Sequence, residues 1–244
     1  MTAPPDRLWV VRHGESAGNV ARDRAEAERL DRIELAHRDV DVPLSEGGEA
    51  QAQALGRWLA GLPEPPTALW TSPYVRAEQT AHIALQAAGL TARTVVDERL
   101  REREFGVLDG LTRQGITSLY PEESERRKMI GKFYHRPPGG ESWSDVLLRL
   151  RGALADLQAR EPGGRVLLVA HQVVVLLVRY VLEGLTEKQV LAIDRQAEVL
   201  NCSVTTYAAG PQGLVLEAFN EVGHLERSDE AEVTAEPDVA RVPR

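Results

Sequence analysis

Short apolar runs of four to six residues alternate along this chain with longer stretches in which apolar residues return every third or fourth position, the signature of buried strands followed by amphipathic helices. The first run, Arg7 to Val11, reads as a strand that closes on Arg12 and His13. Ser45 is placed to N-cap a helix over about Glu46 to Ala60, with Ala50, Ala54, Leu55, Trp58 and Leu59 on one face, and Pro63-Glu64-Pro65-Pro66 stops it. Ala68 to Thr71 is a second strand. Ser72 and Pro73 then read as N-cap and first residue of a helix reaching about Ala88. Thr94 to Val96 is a third strand, and a long helix is expected from about Ser142 to Ala159, ended by Pro162-Gly163-Gly164. Arg165 to Ala170 (RVLLVA) is the clearest fully buried strand, and the helix after His171 is apolar nearly all round through Leu182. Cys202 to Ala208 and Leu214 to Phe219 form two strands across a Gly210-Pro211-Gln212-Gly213 hairpin.

Three stretches break this rhythm. Val20 to Arg38, rich in Ala, Glu and Arg, reads as a partly helical, solvated face. Residues 105 to 140 carry two short helical patterns and a basic cluster of Arg126, Arg127, Lys128, Lys132 and Arg136, and read as an inserted cap. From Glu226 the chain turns polar and acidic, which predicts a loosely held tail over 227–244 beyond a single domain of residues 1–226. The architecture expected is α/β, a three-layer sandwich: a mostly parallel sheet with helices on both faces, one antiparallel edge strand and a small helical cap insertion.

Composition narrows the function classes. At 244 residues with 43% hydrophobic and 27% charged residues, the chain can bury a core of its own. A net charge of −8 gives no general attraction for nucleic acid or anionic lipid, so any anion site must be built locally. The single cysteine, Cys202, rules out an internal disulfide framework and a multi-cysteine zinc site. No leader-like N-terminus and no long apolar run is present, so a cytoplasmic enzyme is expected, in no predictable oligomeric state.

Ligands of such sheets bind beyond the carboxyl ends of the strands. There the sequence puts Arg12 and His13, then Ser72 to Arg76, then Glu102, then His171. Two guanidiniums can hold phosphoryl oxygens, one imidazole can attack phosphorus while the other stabilises charge, and a carboxylic acid can protonate the leaving oxygen. That set performs phosphoryl transfer with no metal or cofactor. Each residue alone has a blander reading as a structural histidine, a surface arginine or part of a solvated charge run (DERLRERE); only the conjunction points to chemistry. A rival pattern, G-x-S-x-G over Gly14 to Gly18, would make Ser16 a nucleophile, but only 15 residues precede it, too few for the strand and oxyanion loop that such an elbow follows. A cysteine-phosphatase pattern fails because its arginine would fall on Ala208, and no H-x-H or H-E-x-x-H spacing exists.

The chain resembles the histidine phosphatase superfamily, in its phosphoglycerate-mutase-like branch, from about Leu8 to Tyr207. The resemblance rests on Arg12-His13-Gly14-Glu15-Ser16 with Asn19, on DVPLSEGGEAQAQALG, SPYVRAEQTA, LREREFGVLDGLT, PPGGESWSDVLLR, LLVAHQVVV and NCSVTTY, in that order. It implies that His13 is the phosphohistidine nucleophile, that Arg12, Arg76, His171 and Asn19 surround the phosphoryl group with Ser16 nearby, and that Glu102 is general acid and then base, protonated beside an anion. The sequence departs from the family pattern where His171 is followed by Gln172, and where Glu102-Arg103-Glu104-Phe105-Gly106 stands for the Glu-Arg-His-Tyr-Gly of mutases. The second departure favours a phosphatase acting on a phosphorylated small molecule, because a mutase must keep water from its phosphohistidine. The basic cap residues, with Phe133, Tyr134 and His135, offer either a second phosphate site or a solvated face. Trp143 reads as core, and His37, His82 and His224 show no partner pattern.

Overall fold

A computed structural model of the chain describes residues 3–235. Its centre is a six-stranded sheet of β1 (Arg7–Arg12), β2 (Ala68–Thr71), β3 (Arg93–Val96), β4 (Arg165–Ala170), β5 (Val204–Gly210) and β6 (Gly213–Glu221), in the order β3-β2-β4-β1-β5-β6. The pairs β1–β4, β2–β4 and β2–β3 are parallel; β5 runs against β1, and β6 returns against β5 to form the edge.

The central strands β1, β2 and β4 are nearly continuous apolar runs because both their faces are covered, whereas the edge strand β3 is largely exposed. Successive side chains alternate: Trp9 and Val11 point to a core shared with α2 (Glu46–Ala60) and α3 (Val75–Ala88), and Leu8 and Val10 to one shared with α6 (Trp143–Arg160) and α7 (Gln172–Leu182). That double burial explains why α7 is apolar nearly all round. Gly56 lets α2 and α3 close up, since a Cβ there would stand 2.5 Å from the carbonyl oxygen of Ala84.

Several expectations are corrected. Helix α1 covers Ala17–Ala27, and the chain from there to Asp41 runs as turns and a short 3₁₀ segment; the stretch is partly helical and mostly exposed, as expected, but Ile33 within it is buried. Ser72 is not an N-cap: α3 starts at Val75 after Tyr74, with no side-chain cap. Helix α8 (Glu187–Gln196), with its Thr186–Gln189 capping box, was not foreseen. The cap contains α4 (Arg113–Leu119) and α5 (Pro121–Ile130). After α9 (Gly223–Glu226) the chain is not loosely held as far as it is described: Asn201 N donates to Thr234 O at 2.9 Å, Gln51 Nε2 to Glu232 O at 2.7 Å, and Ala235 bridges to Leu200. The remainder of the expected tail lies outside the described residues.

Candidate active site

Parallel register decides which residues meet. Arg12 pairs with Ala170, and Thr71 with Val169 and Val96, so His13, Ser72, Asp97 and His171 leave the sheet along one edge. The backbone of His13 is held from two sides: its N–H donates to Ala170 O at 2.9 Å, and its carbonyl accepts from Cys202 N at 3.1 Å. Behind it, Gly48 at the start of α2 presses on the loop, leaving no room for a Cβ, which would fall 1.9 Å from Glu15 O. Ser16 and Asn19 form the capping box that opens α1, with Asn19 N donating to Ser16 Oγ at 3.1 Å.

The His13 ring is 2% exposed. Its Nδ1 lies 2.7 Å from Gly14 O, and because a carbonyl only accepts, Nδ1 carries the proton and Nε2 presents a lone pair. Arg76 Nε donates to that Nε2 at 3.3 Å. Burial first, then the neighbouring Arg76 and Arg12 charges, holds His13 well below the usual imidazole range. His171, whose ring centroid is 5.2 Å from that of His13, is likewise pushed far down by burial and by Arg76. Its Nε2 hydrogen-bonds Ser72 Oγ at 2.8 Å, while its buried Nδ1 has no hydrogen-bond partner and sits 3.7 Å from Glu102 Oε2. The Glu102 side chain is 16% exposed, and burial raises its carboxyl above the ordinary range despite a 2.7 Å bond from Arg103 N.

Arg12 is completely buried, donates to Val199 O at 2.6 Å and is lowered to about 10 by burial, with Glu102 opposing. It stands behind the cleft. The lining of the cleft, which opens to solvent, includes His13, Ser16, Asn19, Arg76 and Glu102. The structure therefore brings all seven expected residues to one place, five of them on the cleft surface and Arg12 and His171 buried behind it.

Other residues of the site were not foreseen. Arg22 lines the cleft one turn beyond Asn19, a spacing of three that could have been read from the sequence. Asp39 lines it too, and takes both terminal nitrogens of Arg76: Nη1 donates to Asp39 O at 2.6 Å and lies 3.1 Å from Oδ1, and Nη2 donates to Oδ2 at 3.3 Å. Arg149 of α6 ties down the 3₁₀ turn Glu98–Leu100 and the residues leading to Glu102, donating to the carbonyls of Arg99, Arg101 and Glu102 at 2.6, 2.9 and 3.0 Å and pairing with Glu141 at 2.8 Å. No local pattern announces the last two.

Of the basic cap residues, Lys132 alone lines the cleft, and its Nζ is held 2.7 Å from the buried Asp194. Arg126 pairs with Glu123, Lys128 with Glu125 and Arg136 with Asp145. His135 is buried on Glu123 at 3.0 Å. Trp143 is core, as expected, yet its edge also floors the cleft beneath Lys132. Among the described residues no group of three or more His, Cys, Asp and Glu is arranged to hold a metal ion, and no helix is long and apolar enough to cross a membrane.

Comparison with known proteins gives one answer at the level of family. Residues 8–222 match the model of the histidine phosphatase superfamily (branch 1). The chain is 31% identical over 227 residues, 90% of its length and 95% of the relative's, to a protein named "Probable phosphoglycerate mutase GpmB" from Photorhabdus laumondii, and 32% identical over the same span to one of the same name from Yersinia enterocolitica. Among solved structures it is similar to Bacillus stearothermophilus YhfR, with a TM-score of 0.72 at 27% identity, covering 89% of this chain and 98% of that one. It is similar also to mycobacterial glucosyl-3-phosphoglycerate phosphatase Rv2419c, with a TM-score of 0.69 at 28% identity, covering 89% and 99%.

Proposed function

The chain belongs to the histidine phosphatase superfamily, branch 1, and from that membership and the geometry at His13 we propose that it hydrolyses a phosphomonoester of a small molecule through a phosphohistidine. The observation that carries this reading is the pair of contacts on one ring: Nδ1 fixed as donor to Gly14 O, and Nε2 turned to Arg76 as an unprotonated nitrogen. Because burial keeps that imidazole neutral, it needs no base before it attacks.

In the first step Nε2 of His13 bonds to phosphorus as the P–O bond to the leaving group breaks, and Glu102 gives its proton to the departing oxygen. Arg76, Arg12, Arg22 and Asn19 supply positive charge and hydrogen bonds to the equatorial oxygens, and His171 Nδ1, buried and otherwise unpartnered, gains an acceptor there. In the second step water loses a proton to Glu102 and attacks phosphorus, the N–P bond breaks, and inorganic phosphate leaves. The curated relatives named as mutases favour a second reading, transfer of the phosphoryl group back to an organic acceptor. Hydrolysis is preferred because Glu102 is followed by Arg103-Glu104-Phe105 and the cleft stands open to water.

The test is p-nitrophenyl phosphate turnover with EDTA present, for the wild type, His13→Ala and Ser16→Ala, together with acid-quenched trapping of labelled phosphate on the protein. Turnover that survives EDTA and Ser16→Ala and vanishes with His13→Ala is expected. A label that persists in His13→Ala would overturn the assignment.

A further inference from the structure

The contact between Asp39 and Arg76 says something about what the leaving group carries. Arg76 is 4% exposed: its Nε donates to His13, its two terminal nitrogens are taken by Asp39, and its guanidinium lies 4.9 Å over the Tyr74 ring. The carboxylate thus lies one guanidinium away from the nucleophilic nitrogen. Its side chain is 39% exposed, open to the cleft on the side away from Arg76. It rides on the 3₁₀ turn Asp39–Asp41, which Arg38 steadies by an ion pair to Asp41 at 2.7 Å. The chain leading to that turn is braced on the cap by Ile33 N to Gly110 O at 2.8 Å and by Thr112 N to Asp31 O at 3.2 Å.

We propose that Asp39 is a specificity-determining residue that selects phosphomonoesters whose leaving group is neutral and hydroxylated, or cationic, against those whose leaving group bears a carboxylate or a second phosphate. A phosphoryl group on Arg76 shares the guanidinium with Asp39, which then flanks it with a fixed acceptor. A hydroxyl or ammonium near the ester satisfies that acceptor, whereas a second anion meets a like charge. Asp109 adds a second acid to the lining, and the cations there other than Arg76 and Arg22 are engaged elsewhere: the Lys132 ammonium on Asp194, and Arg103 on Glu141 O at 2.7 Å and over the Phe105 ring. The other basic cap groups paired with acids lie outside the cleft. The negative charge of Asp39 also acts on Glu102, adding to the burial that raises its carboxyl.

This inference rests on the phosphatase reading, and the two fail separately. Three substrates are compared for the wild type and Asp39→Asn: p-nitrophenyl phosphate as a reference, glycerol 3-phosphate as a neutral diol ester, and 3-phosphoglycerate as its carboxylate counterpart. Inhibition by inorganic phosphate is measured alongside. The wild type is expected to prefer glycerol 3-phosphate, and Asp39→Asn to shift the ratio of kcat/KM toward 3-phosphoglycerate by about tenfold or more, with tighter phosphate inhibition. An unchanged ratio, with His13-dependent turnover intact, overturns the role of Asp39 and leaves the phosphatase standing. A wild type that already prefers 3-phosphoglycerate overturns it as well, and absence of His13-dependent turnover on every substrate overturns the reading beneath it.

Discussion

At the scale of single residues, the site divides its labour by where burial puts the protons. Desolvation holds His13 and His171 well below the usual imidazole range and raises Glu102 above the ordinary carboxyl range, the directions that the proposed attack and leaving-group protonation call for. The sign of the pH dependence follows. Because Glu102 is raised, its proton persists to higher pH than on an ordinary carboxyl, and turnover of esters with poor leaving groups should fall as pH rises through that elevated value. Glu102→Gln should remove this limb, costing a hundredfold or so on glycerol 3-phosphate and much less on p-nitrophenyl phosphate, whose leaving oxygen needs no proton, on the order of general acid contributions. Equal losses on both substrates, read from kcat, would show that Glu102 is not the acid. The two histidines were legible because each follows an apolar run that reads as a buried strand, whereas Glu102 stands in a charge run and was legible only with the others. Ser72 misled for a related reason: a serine before a proline is the local pattern of an N-cap, but its hydroxyl is taken by His171, 99 positions away in sequence.

At the scale of elements, helix α2 and strands β2 and β4 were readable to the residue, since Ser45, the proline run and the β-branched composition act locally. What sequence could not show is how elements hold one another's loops. Arg149 is the clearest case: it lies on α6, its partners are the carbonyls of residues 99 to 102, and nothing within a helical turn hints at the link. Because its planar fork serves three carbonyls and Glu141 together, Lys cannot replace it. Arg149→Met should destabilise the fold by about 3 kcal/mol through the carbonyls it frees and the loss of one of the two arginines on Glu141, which keeps Arg101. It should also cut kcat on poor leaving groups about tenfold while sparing p-nitrophenyl phosphate, because the acid loses its place rather than its chemistry. Arg149→Lys should rescue little of either. A uniform loss across substrates in the folded variant would mark a structural role alone.

At the scale of the whole molecule, the sheet was legible as a class, and its edge gathered the expected site residues because parallel register leaves them no alternative. The closing segment was not legible, since its polar composition hides the fact that it is stitched to the nucleophile loop. Gln51, fully buried, accepts from Glu15 N at 2.8 Å with its carbonyl and donates to Glu232 O and Thr234 Oγ1 with its amide, and Asn201 joins His13 O to Thr234. Ending the chain after Arg227 should therefore leave Gln51 unsatisfied and cost about 3 kcal/mol, roughly 6–12 °C in Tm by calorimetry, with a fall in kcat. No change in either would show that the stitching is idle. The same stitching bears on timing during synthesis. His13 is synthesised long before the groups that aim it, which run from Ala170 to Thr234. A growing chain thus carries an unaimed His13 until Thr234 has followed it out of the ribosome.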